Sequence, residues 1–456
     1  MTGERQTRTD DGAPADPAPP LHAYLVRALT YDRPTAPPRR WSLDGPAERV
    51  ISGAAAADDP HLLACDDAWA STRHAALRRS FGRWMLEDLG SKNGTSVNGE
   101  RVTRHALGDG DLIETGHTAW WFRELAADRP PADATLVLAA PFVTLHAPLE
   151  DVVARAVAAI GAGLPVLVAG ETGVGKERAV AAMHAGSRRP GALVAVNCAA
   201  LPAALVEGEL FGHRRGAFSG AIDDRLGYLR AADRGTVFLD EIGDMPAAAQ
   251  AALLRVLAER TVTPVGDERP VAVDLAVVSA THRDIHAMAD AGAFRADLLA
   301  RLCGVTLCIP ALRERREDIG GFVARTLARV APAATLQPDA ARRLLTAAWP
   351  RNVRALEHAV AAVALRAGPR AVTLRDLEGL EDGPGHAPSI EGGADGRGPA
   401  AAPATTWSPA DAALRARLVE ALAAHGGNIS AVARALGRDR KQIHRWLSRL
   451  EIDPRG

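Results

Sequence analysis

The sequence predicts a multidomain protein with an all-β sandwich first, an α/β domain at its centre and an all-α domain last. Three observations across the 456 residues predict this order. Short alternating segments with two Asn-Gly turns fill residues 21–124, which is typical of a sandwich. Apolar strands alternate with amphipathic helices in residues 135–380, which indicates a parallel sheet. Residues 407–456 follow a helical pattern throughout.

Segments rich in Pro, Ala and Gly separate these parts. Residues 1–20 and 381–406 contain few large apolar side chains, so they bury too little surface to offset the entropy of the chain. We therefore expect a disordered N-terminal segment and a disordered linker. A shorter stretch, residues 125–134, includes two consecutive prolines and is predicted to link the sandwich to the α/β domain.

Composition restricts the class of protein. The formal net charge is -1, so any affinity for nucleic acid must come from a local patch. The 4 cysteines are too few and too badly spaced for a disulfide framework or a zinc site, which is typical of a reducing compartment. No apolar run approaches the ~18 residues of a membrane span. The sequence therefore predicts a soluble cytoplasmic protein that does not bind membranes.

The stretch GETGVGKE, residues 170–177, has the form of a phosphate-binding loop. It follows an apolar strand pattern and precedes a helical one, so backbone N–H groups and a helix N-terminus would face the phosphates. Lys176 is predicted to bridge the β and γ oxygens, and Glu177 stands where the general pattern has a Ser or Thr. The alternative is a glycine turn without a ligand. The nucleotide-binding residues predicted here are Gly170, Glu171, Thr172, Gly173, Val174, Gly175, Lys176 and Glu177.

The stretch TVFLDEIGD, residues 236–244, is a predicted buried strand that ends in two carboxylates. Open α/β sheets bind ligands at such strand ends. Asp240 is predicted to hold Mg²⁺, directly or through water, and Glu241 to orient and polarise an attacking water. The alternative is an acidic strand end that caps the next helix. Together with the phosphate loop, the two carboxylates predict hydrolysis of ATP with Mg²⁺ as cofactor.

The α/β region also resembles a known family over essentially all of residues 135–380. Its motifs GETGVGKE, VNCAALP, EGELFGHRRGAFSGA, GTVFLDEIGDM, FRADLLARL, LRERREDI and WPRNVRALE are similar in order and spacing to the AAA+ ATPase of sigma-54-dependent transcriptional activators, also called bacterial enhancer-binding proteins. In that family a Glu commonly follows the loop lysine. The resemblance implies a helical lid over about residues 312–380.

The resemblance implies further roles in catalysis. Arg295 and Arg301 resemble arginine fingers that reach the γ-phosphate of a neighbouring subunit, which implies a homo-oligomeric ring, typically a hexamer. Arg354 resembles the sensor arginine of the lid. Asn197 resembles the residue that switches the glutamate at position 241. His282 stands where the first sensor of the family commonly has Asn.

The loop GAFSGA is similar to the GAFTGA loop with which this family contacts sigma-54. The resemblance implies that Phe218 makes the main contact and is therefore exposed, and Ser219 replaces the threonine of the family. Loss of that methyl group is expected to weaken or retune the contact by roughly 1 kcal/mol. The alternative is a packed turn with its Phe beneath the domain. The predicted contact residues are Gly216, Ala217, Phe218, Ser219, Gly220 and Ala221.

The last 50 residues predict a helix-turn-helix. Four apolar residues at positions 443, 446, 447 and 450 form one face of the last helix, and Gly437 ends the preceding helix. The unit resembles the Fis-type module of enhancer-binding proteins, which implies dimers on an inverted repeat of double-stranded DNA. The alternative is a helical hairpin with a solvated basic face. The predicted DNA-binding residues are Arg440, Lys441, Gln442, His444 and Arg445.

The first domain resembles a forkhead-associated (FHA) domain, a reader of phosphothreonine, in its motifs STRH, EDLGSKNGTSVNGERV and LGDGDLIETG. The resemblance implies that Ser71 contacts phosphate, Asn93 grips the peptide backbone and His74 supports the fold. Gly53 occupies the position of the phosphate-binding arginine of the family, and Arg73 or Lys92 is the candidate replacement. A phosphate-independent or intramolecular docking surface is the alternative to a phosphothreonine protein as partner.

These expectations combine into one interpretation: a regulator that binds upstream DNA, senses input through its FHA-like domain and uses an ATPase ring to remodel sigma-54 RNA polymerase holoenzyme from the closed to the open complex. Two alternatives remain at this point. One is an AAA+ protein that remodels a different client. The other is a DNA-binding regulator whose ATPase is vestigial.

Overall fold

The structure is a computed structural model that describes residues 19–54, 59–202, 205–218 and 221–379, and the single residues Leu418, Ala421 and Ala435. The chain divides into two compact units, residues 1–388 and residues 389–456. In the second unit the three described residues are helical, and Leu418 is fully buried. Among the described helices, none is long and apolar enough to cross a membrane.

The first unit begins with a sandwich of two sheets. Strand order is β12-β2-β1-β11-β10-β7-β8 in one sheet and β4-β3-β5-β6-β9 in the other. Leu25, Ile51, Leu77 and Trp120 lie fully buried between the sheets. The strands are Leu21–Thr30 (β1), Arg39–Ser42 (β2), Glu48–Ser52 (β3), Leu62–Ala64 (β4), Ala75–Ser80 (β5), Arg83–Asp88 (β6), Thr95–Val97 (β7), Glu100–Val102 (β8), Arg104–Ala106 (β9), Leu112–Thr115 (β10), Thr118–Ala126 (β11) and Ala134–Thr135 (β12).

The segment predicted to link sandwich and α/β domain is attached to the sandwich at both ends. β11 continues to Ala126 along β1, and β12 pairs with β2 through Ala134 and Arg40. The backbone N–H of Leu136 then donates to the Pro38 carbonyl oxygen at 2.9 Å. Backbone hydrogen bonds thus fix both ends of the segment 125–134 to the sandwich.

The α/β core has a parallel sheet of order β14-β15-β18-β13-β19. Both faces are buried, since Phe238 packs against the cluster that includes Ile160 and Val180, while Val237 and Leu239 pack with Leu253. This explains the unbroken apolar runs of its strands. The elements are Ala147–Gly161 (α1), Val166–Ala169 (β13), Lys176–Ser187 (α2), Leu193–Asn197 (β14), Val206–Phe211 (α3), Tyr228–Ala231 (α4), Thr236–Asp240 (β15), Ala247–Glu259 (α5), Thr261–Val262 (β16), Val271–Ala272 (β17), Ala276–Thr281 (β18), Ile285–Asp290 (α6), Ala296–Leu302 (α7) and Val305–Cys308 (β19).

A helical lid follows the core. Two short 3₁₀ turns, Leu312–Glu314 and Arg316–Asp318, lead into it. Its apolar face joins the outer face of β1 in one cluster, in which Tyr24 and Val26 lie with Phe322 and Leu356. β1 is therefore buried on both faces, which is uncommon for an antiparallel sheet at the surface. The lid helices are Ile319–Val330 (α8), Pro338–Thr346 (α9), Asn352–Ala367 (α10) and Leu374–Leu377 (α11).

Candidate functional site

The phosphate loop, residues 170–177, lies between β13 and α2 as predicted. Its glycines adopt positive φ, and at Gly173 the value is 81°. A Cβ on Gly173 would lie 2.5 Å from the carbonyl oxygen of Arg351, so a side chain fits neither the backbone angle nor the space. The loop leads directly into α2, which begins at Lys176 and whose N-terminal end attracts anions. This geometry fits a bound phosphate.

Lys176 is the first residue of α2 and is only 8% exposed. Its Nζ donates to the carbonyl oxygen of Gly170 at 3.0 Å, so the ammonium group lies within the curve of the loop. A cation held there adds directed positive charge to the backbone N–H groups. Glu177 and Val174 complete the loop, the latter buried among apolar residues.

The lid closes over this loop through contacts that the sequence did not reveal. Arg313 donates to both oxygens of Glu171, at 2.6 and 3.0 Å. Buried Asn352 donates to Glu171 at 3.0 Å and to the Thr172 carbonyl oxygen at 3.1 Å. The hydrogen bonds from Arg313 and then Asn352 lower the pKa of Glu171 to about 2. The predicted sensor Arg354 lies beside the loop, since its backbone N–H donates to the Gly173 carbonyl oxygen at 3.3 Å.

Arg315 is a second contact that sequence reasoning missed. Its side chain is 0% exposed, and it donates to the Val174 carbonyl oxygen at 2.7 Å and to the Pro310 carbonyl oxygen at 3.2 Å. Nη1 reaches Asp318 at 3.4 Å. Burial lowers the pKa of Arg315. A buried arginine needs such partners, and the charged stretch around Arg315 carried no sequence signal of its burial.

Asp240 and Glu241 lie at the carboxyl end of β15, two strands away from the phosphate loop in the sheet. Burial and the adjacent charge of Glu241 raise the pKa of Asp240. A half-buried carboxylate beside a second one is electrostatically unfavourable until a cation approaches, and carboxylate oxygen is the ligand type that Mg²⁺ prefers. Asp240 therefore fits the predicted metal site.

Glu241 adopts a left-handed backbone with φ of 50°, a conformation that few non-glycine residues use. Its Oε2 accepts a hydrogen bond from Nδ1 of His282 at 2.7 Å. Non-glycine residues in this region concentrate at functional sites, where the surrounding structure holds them. His282 follows β18, the strand between β13 and β15, so it reaches Glu241 across the sheet edge.

Asn197 ends β14 and pairs in register with Asp240 of the neighbouring strand. Its Oδ1 accepts from the backbone N–H groups of Ala199 and Ala200, at 3.0 and 3.2 Å, and caps the following turn. The structure therefore brings Asn197 to the site but pairs Glu241 with His282. The switching role of Asn197 stays a prediction.

The two predicted arginine fingers lie at opposite ends of α7. Arg295 precedes the helix, is exposed and donates to Asp297 through Nε at 3.0 Å and Nη2 at 2.6 Å. Arg301 is exposed in the last turn. Because a finger acts on a neighbouring subunit, a single chain leaves both roles as predictions.

The GAFSGA loop forms a tight turn in the part that the structure describes. Gly216 N–H donates to the Ala221 carbonyl oxygen at 2.8 Å, and Ala221 N–H donates to that of Phe218 at 3.0 Å. The prediction of an exposed Phe218 is wrong for the single chain. The side chain is half-buried because its ring packs edge-on against His213, with centroids 4.8 Å apart. Ser219 and Gly220 lie outside the described residues.

The sandwich carries a loop-tip cluster, which we define as Ser71, Arg73, Lys92 and Asn93. Ser71 Oγ accepts from the Lys92 N–H at 3.1 Å, and Asn93 donates to the Trp69 carbonyl oxygen at 2.7 Å. His74 is fully buried beneath the cluster, where Nδ1 accepts from the Ser71 N–H at 3.0 Å and Nε2 donates to Gly94 at 3.1 Å. Burial lowers the pKa of His74. Its position fits the predicted supporting role.

Gly53 shows why the arginine of the resembled family is missing. A Cβ at this residue would lie inside the van der Waals radius of the Ala70 carbonyl oxygen, so the backbone has closed the space that a side chain needs. The Gly53 N–H donates to the Ser71 carbonyl oxygen at 3.0 Å and fixes this approach. Arg73 is exposed, with Glu48 3.8 Å away. Both cations of the loop-tip cluster, Arg73 and Lys92, are exposed to solvent.

The predicted DNA-binding residues Arg440, Lys441, Gln442, His444 and Arg445 lie outside the described residues.

Sequence profiles of known families match all three predicted domains in the predicted order. The profile described as the sigma-54 interaction domain matches residues 142–308, and that of the AAA+ ATPase lid domain matches residues 313–382. The FHA domain profile matches residues 56–116, and the homeodomain-like domain profile matches residues 409–454. The predicted fold class is confirmed.

Curated relatives match 63% to 71% of the chain. The chain is 43% identical over 304 aligned residues to the nitric oxide reductase transcription regulator NorR2 of Cupriavidus necator, and the match covers 63% of this chain and 58% of the relative. Over 336 residues it is 40% identical to the anaerobic nitric oxide reductase transcription regulator NorR of Klebsiella pneumoniae, with 71% and 63% covered. The chain thus spans only part of the length of these relatives. Among solved structures, NtrX from Brucella abortus is similar with 30% identity and a TM-score of 0.48, with 67% of this chain and 68% of that chain covered.

Proposed function

Because the chain belongs to the sigma-54-dependent transcriptional activators, with an FHA domain before its AAA+ domain and a helix-turn-helix after it, we propose that it hydrolyses ATP to remodel sigma-54 RNA polymerase holoenzyme at promoters. The observation that carries the proposal is the assembly of one nucleotide site from the phosphate loop, the two carboxylates of β15 and the lid contacts to Glu171.

Each residue of this site has a chemical role in the proposed hydrolysis. Lys176 and the loop N–H groups bind the phosphates and stabilise the negative charge that develops on them. Glu241 accepts a proton from the attacking water, and its bond to His282 fixes where that carboxylate lies before the nucleotide arrives. Asp240 would hold a magnesium ion, which when bound neutralises charge on the phosphates. Arg295 and Arg301 reach a neighbouring subunit in a ring.

The exposed base of the GAFSGA loop supports the coupling of hydrolysis to sigma-54. Arg214 donates to Asp224 at 2.6 Å and to Asp267 at 2.8 Å, so two ion pairs fix the base of the loop. The half-buried ring of Phe218 packs edge-on against His213 and lies close to Gly208 of α3, where a Cβ would be 3.3 Å from the ring. We infer that the ring leaves His213 when the loop engages its client.

The FHA domain receives the regulatory signal, and the helix-turn-helix directs the protein to its DNA site. The loop-tip cluster binds a phosphothreonine peptide, with Ser71 on the phosphate, Asn93 on the peptide backbone and Arg73 or Lys92 in place of the missing arginine. The helix-turn-helix binds an inverted repeat in upstream double-stranded DNA. Support for the input role comes from His74, which holds both loops in one arrangement.

Open-complex formation tests the central proposal. Purified full-length chain and sigma-54 holoenzyme are combined on a sigma-54 promoter, with and without ATP, and with Glu241→Gln. The matched control is Glu259→Gln, which alters an exposed glutamate at the end of α5. We expect opening that needs ATP, is lost in Glu241→Gln and persists in Glu259→Gln. A wild-type chain that binds the promoter region but hydrolyses no ATP would instead support a DNA-binding regulator with a vestigial ATPase.

Phe218→Ala separates the client from the motor. We expect the variant to hydrolyse ATP at the wild-type rate and to form no open complex. Phe81→Ala is the control, because Phe81 is a fully exposed aromatic side chain on the sandwich. Open-complex formation that is equal in wild type and Phe218→Ala would show that the loop does not contact sigma-54 and would favour a different client.

A further inference from the structure

The FHA sandwich lies against the lid through its outer sheet face. Val26 and Ala28 of β1 share one apolar cluster with Ile319 and Val323 of α8. At Gly320 the approach is so close that a Cβ would overlap the carbonyl oxygen of Ala28. Glycine is unfavourable in a helix, so its presence in the first turn of α8 is explained by this contact.

One lid carboxylate binds the sandwich and the core at the same time. Glu317 is 0% exposed and accepts from Tyr24 at 3.3 Å and from Arg123, both of the sandwich. It also accepts from Nδ1 of His146, which precedes α1 of the core, at 2.8 Å. Burial opposes its charge, but the bond from His146 and the charge of Arg123 outweigh it and hold the pKa of Glu317 below its ordinary value.

The residues beside Glu317 continue this contact to the phosphate loop. Asp318 accepts from Thr144 Oγ1 at 2.7 Å and from the Leu145 N–H at 2.6 Å, both before α1. It also accepts from Arg315, which binds the Val174 carbonyl oxygen of the phosphate loop at 2.7 Å. A continuous series of buried polar contacts therefore runs from the sandwich through the start of the lid to the nucleotide site.

The sandwich also touches lid and core away from Glu317. Arg342 of α9 donates to both oxygens of Glu114, at 2.8 and 3.2 Å. On the core side, Arg40 is 2% exposed and donates to the Leu145 carbonyl oxygen at 2.9 Å and to Glu150 at 2.8 Å. The sandwich therefore bridges the two bodies between which nucleotide binds.

We propose that the docked sandwich is a brace that fixes the angle between lid and core and thereby slows release of nucleotide from the phosphate loop. The proposal rests on the proposed ATPase function. Arg313 and Asn352 tie the lid to the phosphate loop, so nucleotide leaves readily only when the lid rotates away from the core. While the sandwich is docked, that rotation must break the contacts of Glu317, Arg342 and Arg40 together. An input that undocks the sandwich would then speed nucleotide exchange.

The variant Gly320→Ala tests the brace in the full chain. The added methyl group forces α8 away from Ala28, while alanine favours the helix and leaves the lid itself no weaker. We expect a fluorescent ADP analogue to dissociate faster by roughly 5- to 150-fold, the usual size of coupling between two sites in one protein. The control is Gly161→Ala at the end of α1, where the new Cβ would lie 3.4 Å from the Ser187 carbonyl oxygen.

Hydroxyl-radical footprinting of Trp121 and Phe322, both buried in the shared cluster, reports undocking independently of nucleotide. If Gly320→Ala leaves these rings protected, the double variant Arg123→Gln with Arg342→Gln removes both charged contacts and is measured in the same way. Exposed rings with unchanged or slower release would overturn the brace. A wild-type chain that binds no ADP analogue would overturn the proposed ATPase as well, so the two failures are distinguishable.

Discussion

Two of the predicted phosphate-binding sites, the phosphate loop and the loop-tip cluster, lie within the described residues, and they are built differently. The phosphate loop uses backbone N–H groups in a fixed turn and Lys176, which is 8% exposed. The contact from Arg313 of the lid to Glu171 holds the loop in place. The loop-tip cluster uses side chains on exposed loops, and its missing arginine position is closed by the Ala70 carbonyl oxygen. A backbone site is specified by glycine spacing and tolerates little change. A side-chain site depends on single residues and can be retuned by one substitution.

The largest expected difference between the two sites is in their lysines. Lys176→Ala removes a buried cation that faces the developing charge, so we expect the rate of ATP hydrolysis to fall by about 10²–10³-fold. Lys92→Ala removes an exposed lysine of the loop-tip cluster and should leave that rate unchanged. Phosphate release by purified full-length chains measures both. Similar effects of the two substitutions on hydrolysis would contradict the assignment of the nucleotide site.

Ser71→Ala tests whether the loop-tip cluster reads phosphate at all. Loss of a hydrogen bond to a charged group costs about 1.5–3 kcal/mol, so affinity for a phosphothreonine peptide should fall by roughly ten- to a hundredfold. Thr72→Ala removes the neighbouring exposed hydroxyl and is expected to have no effect. Fluorescence anisotropy with phosphorylated and unphosphorylated peptide pools measures the affinity. Equal binding of both pools would indicate a phosphate-independent docking surface.

Gly53→Arg asks whether the lost arginine can be restored. Because a side chain there overlaps the Ala70 carbonyl oxygen, we expect a loss of about 1–3 kcal/mol of unfolding free energy, as for overpacked sites, and no gain in peptide affinity. Gly108→Arg is the control, since a Cβ at Gly108 meets nothing within 4 Å. Thermal unfolding compares the variants. A stable Gly53→Arg protein that binds phosphopeptide more tightly would show that the loop opens readily.

The same contrast explains what the sequence could predict. The phosphate loop and the strand ending in Asp240 and Glu241 were predictable because each motif is contiguous and its local geometry follows from it. Arg315 and Asn352 were not, because their partners in the phosphate loop lie more than 130 residues away in sequence, with separations of 141 and 180 residues. A buried arginine in a charged stretch has the same pattern as a solvated one.

Two further features depended on tertiary packing. Alternating segments predicted a sandwich over residues 21–124, but burial of both faces of β1 follows from the lid, which no local pattern records. The exposure expected of Phe218 followed from the resemblance to the loop that contacts sigma-54, whereas in the structure the ring packs against His213. Local patterns therefore predicted the elements and their order, and the contacts between domains had to come from the structure.

The smallest expected effect concerns the ion pair between Arg313 of the lid and Glu171 of the phosphate loop, which has no counterpart in the loop-tip cluster. Glu171→Gln removes an ion pair to Arg313 in which both side chains are more than 40% exposed, so we expect about 0.2–1 kcal/mol of lost stability at pH 7. The folded pKa of about 2 lies below the unfolded value, so this stabilisation is present above about pH 4.5 and is lost as the pH falls towards 2. Urea unfolding at pH 7 and pH 4 should therefore show a smaller difference between wild type and Glu171→Gln at the lower pH, and Glu259→Gln should show none at either. A difference that grows on acidification would mean that Glu171 is not held as a carboxylate by Arg313 and Asn352, and that the lid closes on the phosphate loop by other contacts.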